Sequence, residues 1–110
     1  MYVTELEGSS MQPSLADGEM GIVLLKTAPD YDLQRGDIVV YYNDLCNCYV
    51  GHRVLLIDDD FVYAKGDNND YVDSPIEHRY VIGELVDHVP EYNVLKRWFV
   101  EMILSVEKIL

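Results

Sequence analysis

Positive charge is scarce in this sequence. Eight Lys and Arg residues stand against 20 Asp and Glu, a formal net charge of −12, and the few cations are scattered. Phosphate backbones are gripped by clustered Lys and Arg, so nucleic acid is excluded as a partner; the acidic surface reads first as a solubility feature. Cysteine is rarer still: Cys46 and Cys48 are the only two. A single intervening residue is wrong for a zinc knuckle and tight for a disulfide, so free thiols in an exposed loop are expected. The acidic segment that starts at Asp67 and includes Asp73 has Val72 at the sixth place and His78 at the twelfth, where a calcium loop needs Gly and Glu. His78 and His88 have no ligand spacing around them and read as surface or edge residues. No metal and no cofactor is therefore expected. Internal repeats and low-complexity linkers are also missing, and 110 residues with 49% hydrophobic content suit one domain with its own core.

What is present favours β structure. Nine tyrosines and many short Val/Ile runs, broken by Asp, Gly, Pro and Asn, predict strands near Tyr2–Leu6, Gly21–Lys26, Asp37–Tyr42, Cys48–Ile57, Phe61–Lys65 and Tyr80–Val86. The fold class expected is mostly β: a small, coiled, antiparallel β domain over residues 1–90. Residues 91–110 have a different character. Asn93 is placed to cap a helix from Val94 to Ile109, in which Leu95, Trp98, Phe99, Met102, Ile103, Val106 and Ile109 form one apolar stripe. Core packing is the commonest use of such a stripe; a membrane surface or a partner chain are the alternatives, because Val100 and Leu104 widen it.

The chemistry starts at Gly8-Ser9-Ser10-Met11-Gln12-Pro13-Ser14-Leu15. Small residues before Ser10 let a substrate chain approach, and Pro13 restricts the backbone just after it. Read without a partner base, the same run is a Ser-x-x-Pro turn capping a short helical turn. A partner exists in Tyr49-Val50-Gly51-His52-Arg53-Val54-Leu55-Leu56-Ile57, where strand alternation puts His52 on the face of Val50, Val54 and Leu56. An imidazole on an apolar face needs a hydrogen-bond partner, since a buried unpaired polar group costs about 1–3 kcal/mol. The strand Phe61–Lys65 and the following loop, Gly66-Asp67-Asn68-Asn69-Asp70-Tyr71-Val72-Asp73, can return a carboxylate to it. Ser, His and Asp then form a chemically complete set for acyl transfer.

Four segments in order, Gly8-Ser9-Ser10-Met11-Gln12-Pro13, Gly36-Asp37-Ile38-Val39, Gly51-His52-Arg53-Val54 and Lys65-Gly66-Asp67-Asn68-Asn69, resemble the motif boxes of type I signal peptidases. The resemblance runs from about Glu7 to Val86 and carries the fold expectation of a signal peptidase/LexA-like catalytic core. Bacterial members and their LexA-like relatives use a Ser-Lys dyad, whereas archaeal and endoplasmic-reticulum members have His where the lysine stands; this sequence resembles the second branch. Asp73 lies six positions after Asp67, a spacing that also resembles that branch. The resemblance implies Ser10 as nucleophile and His52 as general base, with Asp73 or Asp67 orienting the ring. Asp73 is favoured, because Asp67 lies within a Gly-Asp-Asn-Asn turn that its own side chain can shape. Ser9, Ser10 and Met11 are implied around the oxyanion and the substrate. One departure stands out: the family usually has a hydroxyl residue two places before the nucleophile with Gly between, and here Gly8 and Ser9 reverse that order. Either Ser9 substitutes or backbone donors serve alone.

The implied activity is a serine endopeptidase that cleaves a leader or signal peptide, or a preprotein, after a small residue in an extended segment. Two rivals stay open: a catalytically degenerate domain used for binding or dimerisation, and a Ser-Lys enzyme with Lys65 as base. The family places a membrane helix ahead of its nucleophile. Nine residues precede Ser10, fewer than the about 20 a spanning helix requires, so no transmembrane segment is expected in this chain. Localisation is left open between membrane-associated and cytoplasmic.

Overall fold

The computed structural model describes residues 2–89, so the expected helix over 94–109 and its apolar stripe lie outside the described residues. Seven strands form one sheet: β1 (Tyr2–Glu5), β2 (Met20–Leu25), β3 (Ile38–Asn43), β4 (Cys48–Ile57), β5 (Phe61–Lys65), β6 (Ile76–Glu77) and β7 (Val81–Val89). Their spatial order is β1-β2-β7-β3-β4-β5-β6, with every neighbouring pair antiparallel. The sheet curls into a half-barrel, and a single 3-10 turn at His78–Tyr80 is the only helical element among the described residues. The short strand β6 was not expected, since two residues after Pro75 are too few to show any periodicity.

Curling has a local cause. Register shifts interrupt the pairings of β2 with β7 between Ile22 and Val23, of β3 with β7 between Val40 and Tyr41, and of β4 with β5 between Val54 and Leu56. Each extra residue on one strand bends it and increases the right-handed twist. The third shift corrects one expectation. Leu55 is skipped in the pairing with β5, so the inward phase slips: His52 and Val54 are buried, but Leu56 is 56% exposed and Ile57 packs against the core instead.

Alternation along β3 divides the apolar residues between two faces. Val39 and Tyr41 belong to a cluster with Val54, Val62, Ala64, Ile76 and Val81, while Ile38 joins Met11 and Leu15 beneath the β1–β2 connection. Val23, Val39, Val54 and Val62 are almost wholly buried; each contributes about 1.5–3 kcal/mol relative to an exposed side chain.

The two cysteines differ from the sequence reading. Cys46 and Cys48 form a disulfide at the tip of the β3–β4 hairpin, with Cα atoms 5.2 Å apart. Asn47 between them adopts a left-handed conformation, φ 52°. That turn folds its flanking residues toward each other, into the Cα range a disulfide accepts. An extended Cys-x-Cys segment would hold them farther apart.

Candidate active site

Ser10 lies on the long connection between β1 and β2, which folds back over the sheet instead of closing a tight hairpin. Met11, 5% exposed, and Leu15, 5% exposed, pin this connection to Ile38. Glu19 secures its far end, accepting the Ala16 N–H at 2.6 Å and meeting His88 Nδ1 at 3.2 Å. Around the nucleophile candidate, three successive carbonyls are engaged. Ser9 O accepts from Gln12 N at 3.1 Å and from Asn68 Nδ2 at 3.0 Å; Ser10 O accepts from Asn68 N at 2.8 Å; Met11 O accepts from Leu15 N at 2.9 Å. Bonded carbonyls fix their peptide planes, which sets the directions of the neighbouring N–H groups.

His52 comes from β4 and is 8% exposed. Its Nε2 lies 3.0 Å from Ser10 Oγ, and its Nδ1 lies 2.5 Å from Asp73 Oδ2. With Nδ1–H donated to a carboxylate, Nε2 carries the lone pair that faces the hydroxyl. Asp73 reaches this position because its backbone N–H donates to Ala64 O on β5 at 2.8 Å, tying the loop after β5 to the sheet.

The two aspartates have separate surroundings. Asp67 is not brought to the imidazole: its carboxylate accepts Arg53 Nη2 and the Ser14 hydroxyl, at 2.8 and 2.7 Å. The Arg53 guanidinium, aided by Ser14, holds the Asp67 carboxyl below the usual carboxylate range against the opposing effect of burial. Arg53 follows His52 in the strand and so serves the opposite face. The Asp67 N–H meets Met11 Sδ at 3.3 Å, which links this ion pair to the Ser10 connection. Lys65, the rival base, pairs in register with Arg53, and its charge acts on Asp67.

Tyr41 was not singled out by the sequence. Its hydroxyl donates to Asp73 Oδ2 at 2.8 Å, the same oxygen that meets His52. Burial, and then the bond to Asp73, push the phenol far above its ordinary ionisation range. Asn68, which bonds two carbonyls of the Ser10 segment, was visible only as part of a motif. Among the described residues no group of three or more His, Cys, Asp or Glu is placed to hold a metal ion. An open depression of about 330 Å³ beside the Ser10 connection is lined partly by Ser14, Leu15, Ile38, Arg53 and Leu85.

No family model matches the chain. Two curated proteins align with most of it. The mitochondrial inner membrane protease subunit 2 of Danio rerio is 40% identical over 98 residues, covering 84% of this chain and 54% of that protein. Its Mus musculus counterpart by name is 35% identical over 97 residues, covering 83% and 55%. The chain belongs to the type I signal peptidase family. It spans about half the length of the curated relatives it matches. Within the signal peptidase family, then, the four motif segments of this chain occupy one neighbourhood of the fold. The first carries Ser10, the second opens β3 with Ile38 and Val39, the third carries His52, and the fourth supplies the Asn68 bonds to the first. Among the described residues no helix is long and apolar enough to cross a membrane.

Proposed function

We propose that this chain is a serine endopeptidase of the signal peptidase type, in which Ser10 is the nucleophile, His52 the general base and Asp73 the residue that orients it. One observation carries the reading: Ser10 Oγ, His52 and Asp73 Oδ2 form a continuous hydrogen-bonded chain through both imidazole nitrogens. In the acylation step Ser10 Oγ attacks a peptide carbonyl while His52 Nε2 takes its proton. The imidazolium that forms is stabilised by the Asp73 carboxylate and then protonates the departing amine. Water, activated by the same imidazole, releases the acyl group. The backbone N–H groups about Ser10 and Met11 are the donors assigned to the oxyanion, with exposed Ser9 beside them. Losing one donor of this kind costs roughly 10²–10³ in rate, which bounds the effect of the Gly8-Ser9 order.

The substrate assigned is a leader or signal peptide in extended form, added as a strand beside the site and cut after a small residue. The relatives' names describe subunits, and the expected apolar stripe over 94–109 is assigned to the core of this domain, with a partner chain or a membrane surface as the alternatives.

Cleavage of a quenched signal-peptide substrate tests the reading. Ser10→Ala and His52→Ala should each lower turnover by roughly 10³–10⁶, while Lys65→Ala stays close to wild type. Equal activity in wild type and Ser10→Ala would remove Ser10 from the mechanism; loss in Lys65→Ala with His52→Ala intact would transfer the base to Lys65. The reversed Gly8-Ser9 pair supports a second reading, a binding module without turnover. Saturable peptide binding with no Ser10-dependent cleavage would establish it.

A further inference from the structure

We propose that Tyr41 is a positioning residue for this reaction, its hydroxyl holding the Asp73 carboxylate and moderating how strongly that carboxylate draws a proton onto His52. The proposal rests on the assignment of Ser10, His52 and Asp73 above. Three placements carry it. First, Tyr41 and His52 stand on one face of the sheet: Val39 pairs with His52 and Tyr41 with Val50, so the tyrosine is a diagonal neighbour of the histidine. Second, both side chains end on the same atom, Asp73 Oδ2, at 2.8 and 2.5 Å. Third, Tyr41 is 6% exposed within the Val39–Val54–Ala64 cluster, so its hydroxyl needs a partner inside the protein and has found this one.

Oδ2 therefore divides its electron density between two donors. A hydrogen bond to the ionised form stabilises it, so the phenol spreads part of the carboxylate charge that would otherwise stabilise the imidazolium. It also fixes the carboxylate rotamer, and with it the ring. The groups that face His52 are few. Tyr41 comes from β3, Asp73 from the loop after β5, and Ser10 from the β1–β2 connection, while the exposed Tyr71 of the same loop acts on Tyr41. Arg53 and Asp67 pair with each other on the far face, with Lys65 acting on Asp67 there.

The test uses the full chain with Tyr41→Phe, which keeps the ring and removes only the hydroxyl. The acid limb of the kcat/KM profile is expected to move up by about half a unit, roughly threefold in the protonation equilibrium. In a Ser10→Ala background the His52 ring resonances should titrate higher by the same amount, a readout independent of turnover. A second variant with 3-fluorotyrosine at position 41 preserves packing and strengthens the donor, and should shift both readouts downward. It decides the matter if Tyr41→Phe unfolds. Ring titrations that coincide with the parent in the folded variants, or shift in the opposite sense, overturn the proposal. Absence of Ser10-dependent turnover in wild type would instead refute the catalytic reading, while the ring titration still reports on Tyr41.

Discussion

Gly66→Ala should damage the site by contact rather than by backbone strain. A Cβ on Gly66 would stand 2.6 Å from Asn69 Nδ2, 2.7 Å from the Ser10 carbonyl oxygen and 3.0 Å from Asn69 Cγ. The Asn69 amide is the end of a side chain and can turn away. The Ser10 carbonyl is backbone, already bonded to Asn68 N at 2.8 Å, and has no comparable freedom. Ordinary carbon–oxygen contact lies above about 3.3 Å, so the turn and the Ser10 segment must separate by roughly half an ångström. Overpacking of this kind costs about 1–3 kcal/mol, and each kcal/mol lowers the midpoint by about 4–8 °C in a domain of this size. The separation also opens the Ser10 Oγ to His52 Nε2 contact, now 3.0 Å. A 1 Å misplacement is worth about 10² in rate, so a loss of roughly ten-fold or more in kcat/KM is expected. Gly8→Ala is the contrast: Gly8 has φ 91° with nothing within 4 Å of its missing Cβ, so its penalty is conformational, about 1 kcal/mol. Calorimetry and quenched-peptide kinetics on both variants decide the point. A Gly66→Ala protein with the wild-type midpoint and wild-type kcat/KM would refute the reasoning.

Other perturbations act on the frame. Gly83→Ala puts a Cβ 2.1 Å from Leu24 O on the paired strand β2; it should lower the midpoint more than Gly66→Ala does, as thermal unfolding will show. Asp67 has its folded carboxyl held low by Arg53. The stability it contributes is present above the unfolded value of about 3.9 and lost as pH falls through the folded value. With side chains 33% and 20% exposed, the Arg53–Asp67 pair is partly screened, so Asp67→Asn should cost about 1 kcal/mol at pH 7, and the difference from wild type should shrink in melts as pH falls through the lowered folded value of Asp67. Glu84 is the opposite case: burial and the facing Asp37 raise its folded carboxyl. Its stabilising share is present below the unfolded value and lost as pH rises through the folded one, so ionised Glu84 opposes folding at neutral pH. Glu84→Gln should therefore raise the midpoint at pH 7 by about 2–4 °C, and a lower midpoint would contradict that sign.

Strand positions were readable because alternation and β-branched content are local properties, and the expected segments from Tyr2 to Val86 correspond to six of the seven strands. Phase along a strand was less readable. A bulge at Leu55 depends on how β5 pairs with β4, and no residue of the Val54-Leu55-Leu56 run announces it. For the same reason the Cys46–Cys48 bond escaped, since it follows from the left-handed turn at Asn47 and not from spacing. Residue types capable of the proposed chemistry were legible too: a serine among small residues, a histidine in an apolar strand and two aspartates after the next one. Their division of labour was not. Asp67 and Asp73 are six positions apart and alike in chemistry. Only the folded loop sends one to Arg53 and the other to the imidazole. Tyr41 was one of nine tyrosines suited to a strand, and its bond to Asp73 exists only because β3 lies beside β4. By itself the sequence determined which segments extend and which side chains carry chemistry, because backbone preference and functional-group type belong to single residues and their neighbours. Which groups meet, and on which face, was decided by strand register, bulges and the long β1–β2 connection, because a hydrogen bond across 42 positions of chain depends on every pairing that folds the chain back on itself.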